Sequence, residues 1–275
     1  MANFSIQDLK ALREQLGTGM TDTKAALVEA GGDVEKATEI LRLKGAKGNA
    51  KRADRSTSEG LVTAREGEEY ATLVVLACET DFVAKNEKFI ALADSVADAV
   101  QAAGAADVEA ALAAPHGDGT VKDAVEALAA TIGEKLELTQ VAKVEGEKFA
   151  VYLHRTSKDL PPQVGVAVAY TGDDAETARA VAQHIAMFAP EHITRDSVPA
   201  DAVEKERSLA AEIARGEGKP EAALPKIVEG RLTGFFKQTV LVDQGYARDS
   251  KLSVGQVLES AGLTVTGFAR FKIGG

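Results

Sequence analysis

The amino-acid sequence predicts an α+β protein in which a small helical module precedes two related α+β subdomains, each with a small antiparallel sheet. Three observations support this fold class. The first 45 residues show only helical spacing of apolar residues, two similar segments each lead from a turn into a strand and a helix, and a glycine-rich turn divides one long helical stretch. The predicted parts are residues 1–45, 46–59, 60–140 and 141–275.

The N-terminal part is predicted to contain three short helices. The first begins behind a capping Ser5 and carries these apolar residues at helical spacing: Ile6, Leu9, Leu12 and Leu16. Breaks at 17–19 and 31–33 separate the second helix from its neighbours, and the third helix is expected to end at Gly45. This pattern is similar to a ubiquitin-associated-like (UBA-like) three-helix module that binds a partner protein.

Residues 46–59 are predicted to form a flexible basic linker, because the segment has almost no apolar residues and cannot bury a core of its own. Its basic residues are Lys47, Lys51, Arg52 and Arg55. This composition favours a solvated tether, with contact to RNA or to an acidic partner surface as the alternative.

A weak internal repeat predicts the two subdomains. The sequence EGEEYA at positions 66–71 recurs as EGEKFA at 145–150. Each copy is expected at a hairpin-like turn that leads into an apolar strand and then into an alanine-rich helix, at 89–103 and 175–188. A further helix is predicted between the copies, at 121–136.

The second subdomain is predicted to carry a projecting insertion at about 201–237. Helical stretches at 201–215 and 220–237 have few apolar residues and are joined by a glycine-rich turn, which is typical of an antiparallel helical hairpin. After it, the sequence predicts strands at 239–242 and 265–273 with a helix at 254–260 between them.

The composition limits the classes of partner. Lys and Arg number 32 against 42 Asp and Glu, which gives a net charge of −10 and argues against direct binding to nucleic acid. The single cysteine, Cys78, cannot form an internal disulfide. Without a secretory leader or a run of ~18 apolar residues, the protein is expected to be cytoplasmic and to have no membrane partner.

The motifs of catalytic and ligand-binding proteins are missing from the sequence. There is no phosphate-binding loop of the GxxxxGK[ST] type, no GxSxG nucleophile motif, and no metal-ligand spacing among the histidines and the cysteine. We therefore expect no catalytic residues, no metal, no cofactor and no small-molecule ligand. An enzyme whose site uses scattered carboxylates is an alternative, although no pair of acidic residues is marked out for acid–base catalysis.

The most informative segment follows an apolar run at 71–78. There the sequence TDFVAKN at 80–86 changes from strand-like to helical character, which places Asp81 and Phe82 at a strand-to-helix turn. Phe82 is either the first core residue of the helix or an exposed contact residue, and the apolar pattern alone does not decide between them.

This segment resembles a signature of the elongation factor Ts family, and LREQLGTGMTDTKAAL at 12–27 resembles the N-terminal signature of the same family. The similarity continues through HIAM at 184–187 and TGFARF at 266–271 and so covers nearly the whole chain. One departure is Glu79, where family members more commonly have glutamine.

The resemblance implies a guanine nucleotide exchange factor that binds elongation factor Tu in its GDP form and promotes GDP release, so that GTP can bind, without making or breaking bonds. The implied partner contacts lie in the motif (Thr80, Asp81, Phe82, Val83), in the N-terminal module (Arg13, Gly19, Met20) and in the second subdomain (His154, His184, Met187). For His184, a core position and an interface position are equally compatible with the sequence. The rival function is a non-catalytic binding module that uses only the UBA-like helices.

Overall fold

The computed structural model describes residues 4–274, and over these residues it confirms the predicted α+β fold class. The helices of these residues are α1 Ile6–Leu16, α2 Met20–Glu29, α3 Val34–Arg52, α4 Asp81–Ala84, α5 Glu87–Ala103, α6 Val108–Ala113, α7 Val121–Ile132, α8 Ala175–Phe188, α9 Ala200–Gly216, α10 Leu224–Thr239 and α11 Val254–Ser260. The strands are β1 Glu59–Glu66, β2 Tyr70–Cys78, β3 Pro115–His116, β4 Gly119–Thr120, β5 Leu136–Glu145, β6 Lys148–His154, β7 Val164–Thr171, β8 Gly245–Tyr246, β9 Asp249–Ser253 and β10 Thr264–Lys272. None of the helices in this part of the chain has the length and apolar character that a bilayer crossing requires.

Two three-stranded antiparallel sheets form the centre of the molecule, with strand orders β1-β2-β5 and β10-β7-β6. They pack against each other, and helices cover the outer face of each. Alternation along β2 shows this arrangement, because Leu73 and Val75 lie in the cluster between the sheets, whereas Val74 and Leu76 lie in the cluster under the helices. Both faces are buried, which explains why β2 and β7 are almost continuously apolar.

The sheets approach each other closely where β7 crosses β1. A Cβ atom on Gly165 would overlap the side chain of Val62, and the Val62 amide donates a 2.8 Å hydrogen bond to the Pro162 carbonyl oxygen. A glycine at position 165 therefore permits the contact between the two sheets.

The two copies of the repeat are both turns, but only the first is a hairpin. The copy at 66–71 joins β1 to β2, which pair with each other. The copy at 145–150 joins β5, which pairs with β2, to β6, which pairs with β7. The prediction of a second hairpin is therefore wrong, and the second turn carries the chain from one sheet to the other. The predicted boundary at 140/141 falls inside β5.

Three other expectations differ from the structure. Helix α3 continues past Gly45 to Arg52, so only residues 53–58 of the expected linker lie outside a helix or strand. The helix predicted at 121–136 ends at Ile132, because Gly133 takes a left-handed conformation there. The strand predicted at 239–242 is instead the end of α10 and a short 3-10 turn. Backbone hydrogen bonds join this segment to residues 191–193, with an isolated parallel bridge between His192 and Val240.

Helices α9 and α10 form the predicted antiparallel hairpin, although α10 begins at Leu224 rather than at position 220. The hairpin has a small apolar cluster of its own, built on Ala210, Val228 and Leu232, and ion pairs such as Arg207 to Glu229 at 2.7 Å connect the two helices. The hairpin therefore packs mainly on itself.

Replacing residues 204–234 with a short Gly/Ser loop should leave the remaining protein folded with its main melting transition nearly unchanged. This replacement keeps the two ends of the hairpin that join it to the body, and it removes contacts that lie almost entirely within the insertion. Calorimetry and circular dichroism test this. A loss of the main transition would show that the hairpin helps to hold the two sheets together.

The end of α8 contains the one non-glycine residue with positive φ in residues 4–274, Ala189, at φ 46° and ψ 52°. The left-handed conformation costs a residue with a Cβ atom ~1–2 kcal/mol. Glycine has no such steric cost and is destabilised only by its larger loss of backbone entropy on folding. We expect Ala189→Gly to raise the free energy of unfolding by about 0.5–1 kcal/mol. Ala91→Gly, at an exposed position inside α5, is the control and should lower it by about 1 kcal/mol. Denaturant titration of both variants measures these changes. Equal losses of unfolding free energy in the two variants would contradict the strain at Ala189.

Candidate functional site

The segment at 80–86 forms a tight strand-to-helix turn at the end of β2, as predicted. Thr80 is the N-cap of α4, and its hydroxyl oxygen accepts a hydrogen bond from the Val83 amide at 3.4 Å. Val83 and Ala84 point inward and join the core cluster beneath the first sheet. Asp81 and Phe82 point outward, and Phe82 is 81% exposed. Of the two positions considered for Phe82, the structure therefore excludes the core and shows an exposed side chain.

Asp81 and Lys85 pair across one turn of helix. The carboxylate and the ammonium group are 2.7 Å apart, and the hydrogen bond from Lys85 holds the pKa of Asp81 below its ordinary value. The Lys85 nitrogen is also 5.7 Å from the centre of the Phe82 ring. A carboxylate, a cation and an aromatic ring are thus presented together on one exposed turn.

A second turn, which directly follows α7, braces the Thr80 turn through hydrogen bonds. Glu134, just after the end of α7, accepts hydrogen bonds from the Thr80 amide at 3.1 Å and from the Thr80 hydroxyl at 2.7 Å. In the opposite direction, Glu79 accepts a hydrogen bond from the Lys135 amide at 2.6 Å. Glu79 also lies 3.3 Å from the Arg55 guanidinium. Glu134 has no signal in the sequence, because an isolated glutamate after a helix belongs to no motif.

The N-terminal module docks on α7, the helix that ends just before Glu134. The first inter-helix turn rests on Thr131 of α7, whose hydroxyl lies 3.4 Å from the Leu16 carbonyl oxygen. Gly17 has φ +63°, and a Cβ atom there would lie 3.0 Å from the Thr131 hydroxyl oxygen. Further along α3, Asn49 donates a 2.9 Å hydrogen bond to the Glu126 carbonyl oxygen.

This docking places the predicted N-terminal contact residues and the Thr80 turn at the same end of α7. Arg13 is half-buried on α1, while Gly19, the N-cap of α2, and Met20 are exposed beside the turn that contacts Thr131. Thr131 and Glu134 are only three residues apart, so the first inter-helix turn and the Thr80 turn are both held at the C-terminal end of α7.

His184 is a core residue. It is fully buried, its Nε2 donates a 2.8 Å hydrogen bond to Gln244, and the Ala247 amide donates to its Nδ1 at 3.2 Å. Both ring nitrogens are thus satisfied within the chain in one neutral tautomer, and burial lowers the pKa of His184. Of the two alternatives, the structure places His184 in the core rather than at an interface.

His154 and Met187 lie on the second sheet and its covering helix, respectively. His154 is exposed at the end of β6, where its Nδ1 is 2.9 Å from the Tyr152 hydroxyl, and Met187 is 71% exposed near the end of α8. A shallow cleft of about 260 Å³ lies between the end of β6 and the Thr80 turn, with Arg155 and Lys85 in its walls.

Cys78 is a buried structural residue. Its thiol donates a hydrogen bond to the Thr80 carbonyl oxygen at 3.2 Å, and burial raises the pKa of the thiol to about 12. A thiol that stays protonated at neutral pH is a poor nucleophile, so Cys78 serves the packing of the turn.

Comparison with known proteins assigns the family. The family model described as elongation factor TS matches residues 79–275. A protein named elongation factor Ts from Leifsonia xyli subsp. xyli is 67% identical over 275 residues, and those from Clavibacter sepedonicus and Tropheryma whipplei are 66% and 52% identical over 274 residues. Each of the three alignments covers 100% of this chain and 100% of the relative.

The chain belongs to the elongation factor Ts family. Its role is therefore in translation elongation, as the resemblance of the two signatures implied. The family match includes the whole Thr80 turn, Glu134 and the second sheet, and the full-length relatives extend the elongation factor Ts similarity over the N-terminal module.

Proposed function

We propose that this protein acts as a guanine nucleotide exchange factor for elongation factor Tu. In this function it binds the GDP form of its partner and promotes GDP release, so that GTP can bind. The observation that carries the proposal is the exposure of Phe82, 81% of whose side chain faces solvent on a turn that is capped, braced and anchored in the core.

The mechanism is thermodynamic linkage rather than covalent chemistry. A protein that binds the nucleotide-free partner more tightly than the GDP-bound partner must lower the affinity for GDP by the same factor. Free GTP then competes for the emptied site, and its binding in turn weakens the complex with the exchange factor. No bond is made or broken, so we place the protein outside the enzymes.

Phe82 is suited to act as the wedge. An aromatic ring that is already exposed loses no packing of its own when it enters a pocket of the partner, and its two side-chain torsions cost little entropy to fix. Asp81, held as a carboxylate beside Lys85, can compete for hydrogen-bond donors that otherwise hold the nucleotide phosphates or their metal ion. Thr80 and Val83 fix the turn from which both side chains project.

The other proposed contacts supply affinity. Arg13, Gly19 and Met20 lie on the module that α7 holds beside the turn, and Met187 and His154 offer exposed groups on the second subdomain. His184 contributes through the core that supports the end of α8. Action on elongation factor Tu would place the protein in the cytoplasm, without nucleic acid, membrane or small-molecule partners of its own.

A nucleotide release assay tests the proposal. Purified elongation factor Tu loaded with a fluorescent GDP analogue is mixed with excess unlabelled GDP and a substoichiometric amount of this protein. Catalytic acceleration of fluorescence loss is expected. Binding without acceleration would favour the rival function of a protein-binding module. The absence of both binding and acceleration would exclude elongation factor Tu as the partner.

A further inference from the structure

The Thr80 turn is held by hydrogen bonds from outside its own segment. Helix α4 has only four residues, Asp81–Ala84, and so short a helix is not stable by its own hydrogen bonds. Two of the hydrogen-bonding groups that define its start, the amide and the hydroxyl of Thr80, both donate to the carboxylate of Glu134.

Glu134 also sets the direction of the capping hydroxyl. The Thr80 oxygen can accept from the Val83 amide only while its own hydrogen points elsewhere, and the 2.7 Å bond to Glu134 directs that hydrogen away from the helix. Without this carboxylate, the hydroxyl is free to rotate and the part-buried Thr80 amide loses its acceptor.

Glu134 is itself well fixed. It follows Gly133, the left-handed C-cap of α7, and α7 is anchored in the core by Val121, Val125 and Ala129. The same helix carries the docked N-terminal module at Thr131. The brace therefore connects the turn to a rigid part of the first subdomain.

The Phe82 ring depends on this brace more than a buried ring would. With 81% of its side chain exposed, few atoms of the chain surround the ring, so its direction follows from the backbone of α4. Val83 and Ala84 anchor the inner face of α4 in the core. On its outer face, the surface ion pair between Lys85 and Asp81 is of a kind that holds geometry weakly.

We propose that Glu134 is a positioning residue for nucleotide exchange, which holds the Thr80 turn so that Phe82 projects in the direction the partner requires. This inference rests on the proposed exchange function. It assigns to Glu134 no contact with the partner, and it predicts that the effect of Glu134 on exchange passes through Phe82.

A double-mutant cycle tests the inference. Glu134→Ala, Phe82→Ala and the double variant are compared by the maximal rate of GDP release at saturating exchange factor. We expect Glu134→Ala to slow release by about tenfold, since a misplaced group loses up to ~100-fold in rate. In the Phe82→Ala background the same change should alter the rate by less than about twofold, because the ring that Glu134 positions is absent.

Two variants and one direct measurement complete the test. Glu126→Ala, on an exposed carboxylate of α7, should leave the rate unchanged. Glu134→Gln should recover only part of the rate, because the Thr80 amide and the Thr80 hydroxyl donate to different carboxylate oxygens and glutamine keeps only one of these acceptors. Amide hydrogen exchange over residues 79–85 should become faster in Glu134→Ala while α7 keeps its protection. If Glu134→Ala does not fold, Thr80→Val removes the same hydroxyl bond and should slow release in the same way.

The inference would be overturned if Glu134→Ala reduced the release rate equally in the unmodified and the Phe82→Ala proteins. It would also be overturned if neither Glu134→Ala nor Thr80→Val reduced that rate. Both results would leave the exchange function standing. The failure of the proposed function has a different signature, because the unmodified protein would then fail to accelerate GDP release at all.

Discussion

Phe82→Ala is expected to slow GDP release from elongation factor Tu by at least about tenfold, while the melting temperature of this protein changes by less than about 2 °C. The small effect on stability follows from the 81% exposure of the side chain, since truncating an exposed residue leaves no cavity. The large effect on exchange follows from the loss of the wedge. Stopped-flow fluorescence with the GDP analogue and differential scanning calorimetry measure the two effects.

Asp81→Ala is the companion variant for this measurement. It removes the ion pair with Lys85 but keeps the ring, so it should slow release less than Phe82→Ala does. A Phe82→Ala protein that accelerates release normally would remove Phe82 from the mechanism. A large drop in its melting temperature would instead show that the ring packs in the core.

Phe89→Ala, seven residues further on, should have the opposite profile. Phe89 is fully buried in the cluster beneath the first sheet, together with Val83, Ala84 and Val96. Truncation of a buried phenylalanine costs ~3–5 kcal/mol, because the transfer free energy of the ring is lost and a cavity remains. At roughly 2–4 °C per kcal/mol, the melting temperature should fall by about 10 °C.

The comparison of the two phenylalanines is internally controlled, because the same substitution is made at both ends of one short segment. Urea titration gives the difference in unfolding free energy between the variants. A loss below about 1 kcal/mol for Phe89→Ala would mean that the cluster collapses around the missing ring, and the assignment of Phe89 as a core anchor would be wrong.

Much of this fold follows from local pattern. Helix α8 and helix α11 have the bounds that the sequence predicts, because each begins at a side-chain cap and carries apolar residues at helical spacing. The strand-to-helix turn at Thr80 was also predicted, since the change from strand-like to helical pattern is abrupt there.

Other features depend on contacts that are distant in sequence. The helical course of residues 46–52 was missed because glycines and basic residues are typical of a linker, whereas here Gly45 lies against Ala130 of α7 and Asn49 bonds to its backbone. The pairing of β5 with β2 rather than with β6 is a choice between partners that local spacing does not determine.

The candidate site was predictable in part. The sequence predicted Asp81 and Phe82 at a strand-to-helix turn, but the exposure of Phe82 depends on which face of a four-residue helix meets the core. The burial of His184 required Gln244, 60 residues away, and the brace on Thr80 required Glu134, 54 residues away. Pairs of this kind arise from the tertiary fold and leave no periodic trace in the sequence.

The order of strands in the second sheet affects how the chain is made. The central strand β7, at Val164–Thr171, pairs on one side with β6 and on the other with β10, at Thr264–Lys272, the last strand of the described chain. During synthesis, one edge of β7 has no partner until β10 has emerged from the ribosome, and the helical hairpin emerges in the interval. A nascent chain that stops early therefore exposes an apolar, unpaired strand edge, which is a template for aggregation.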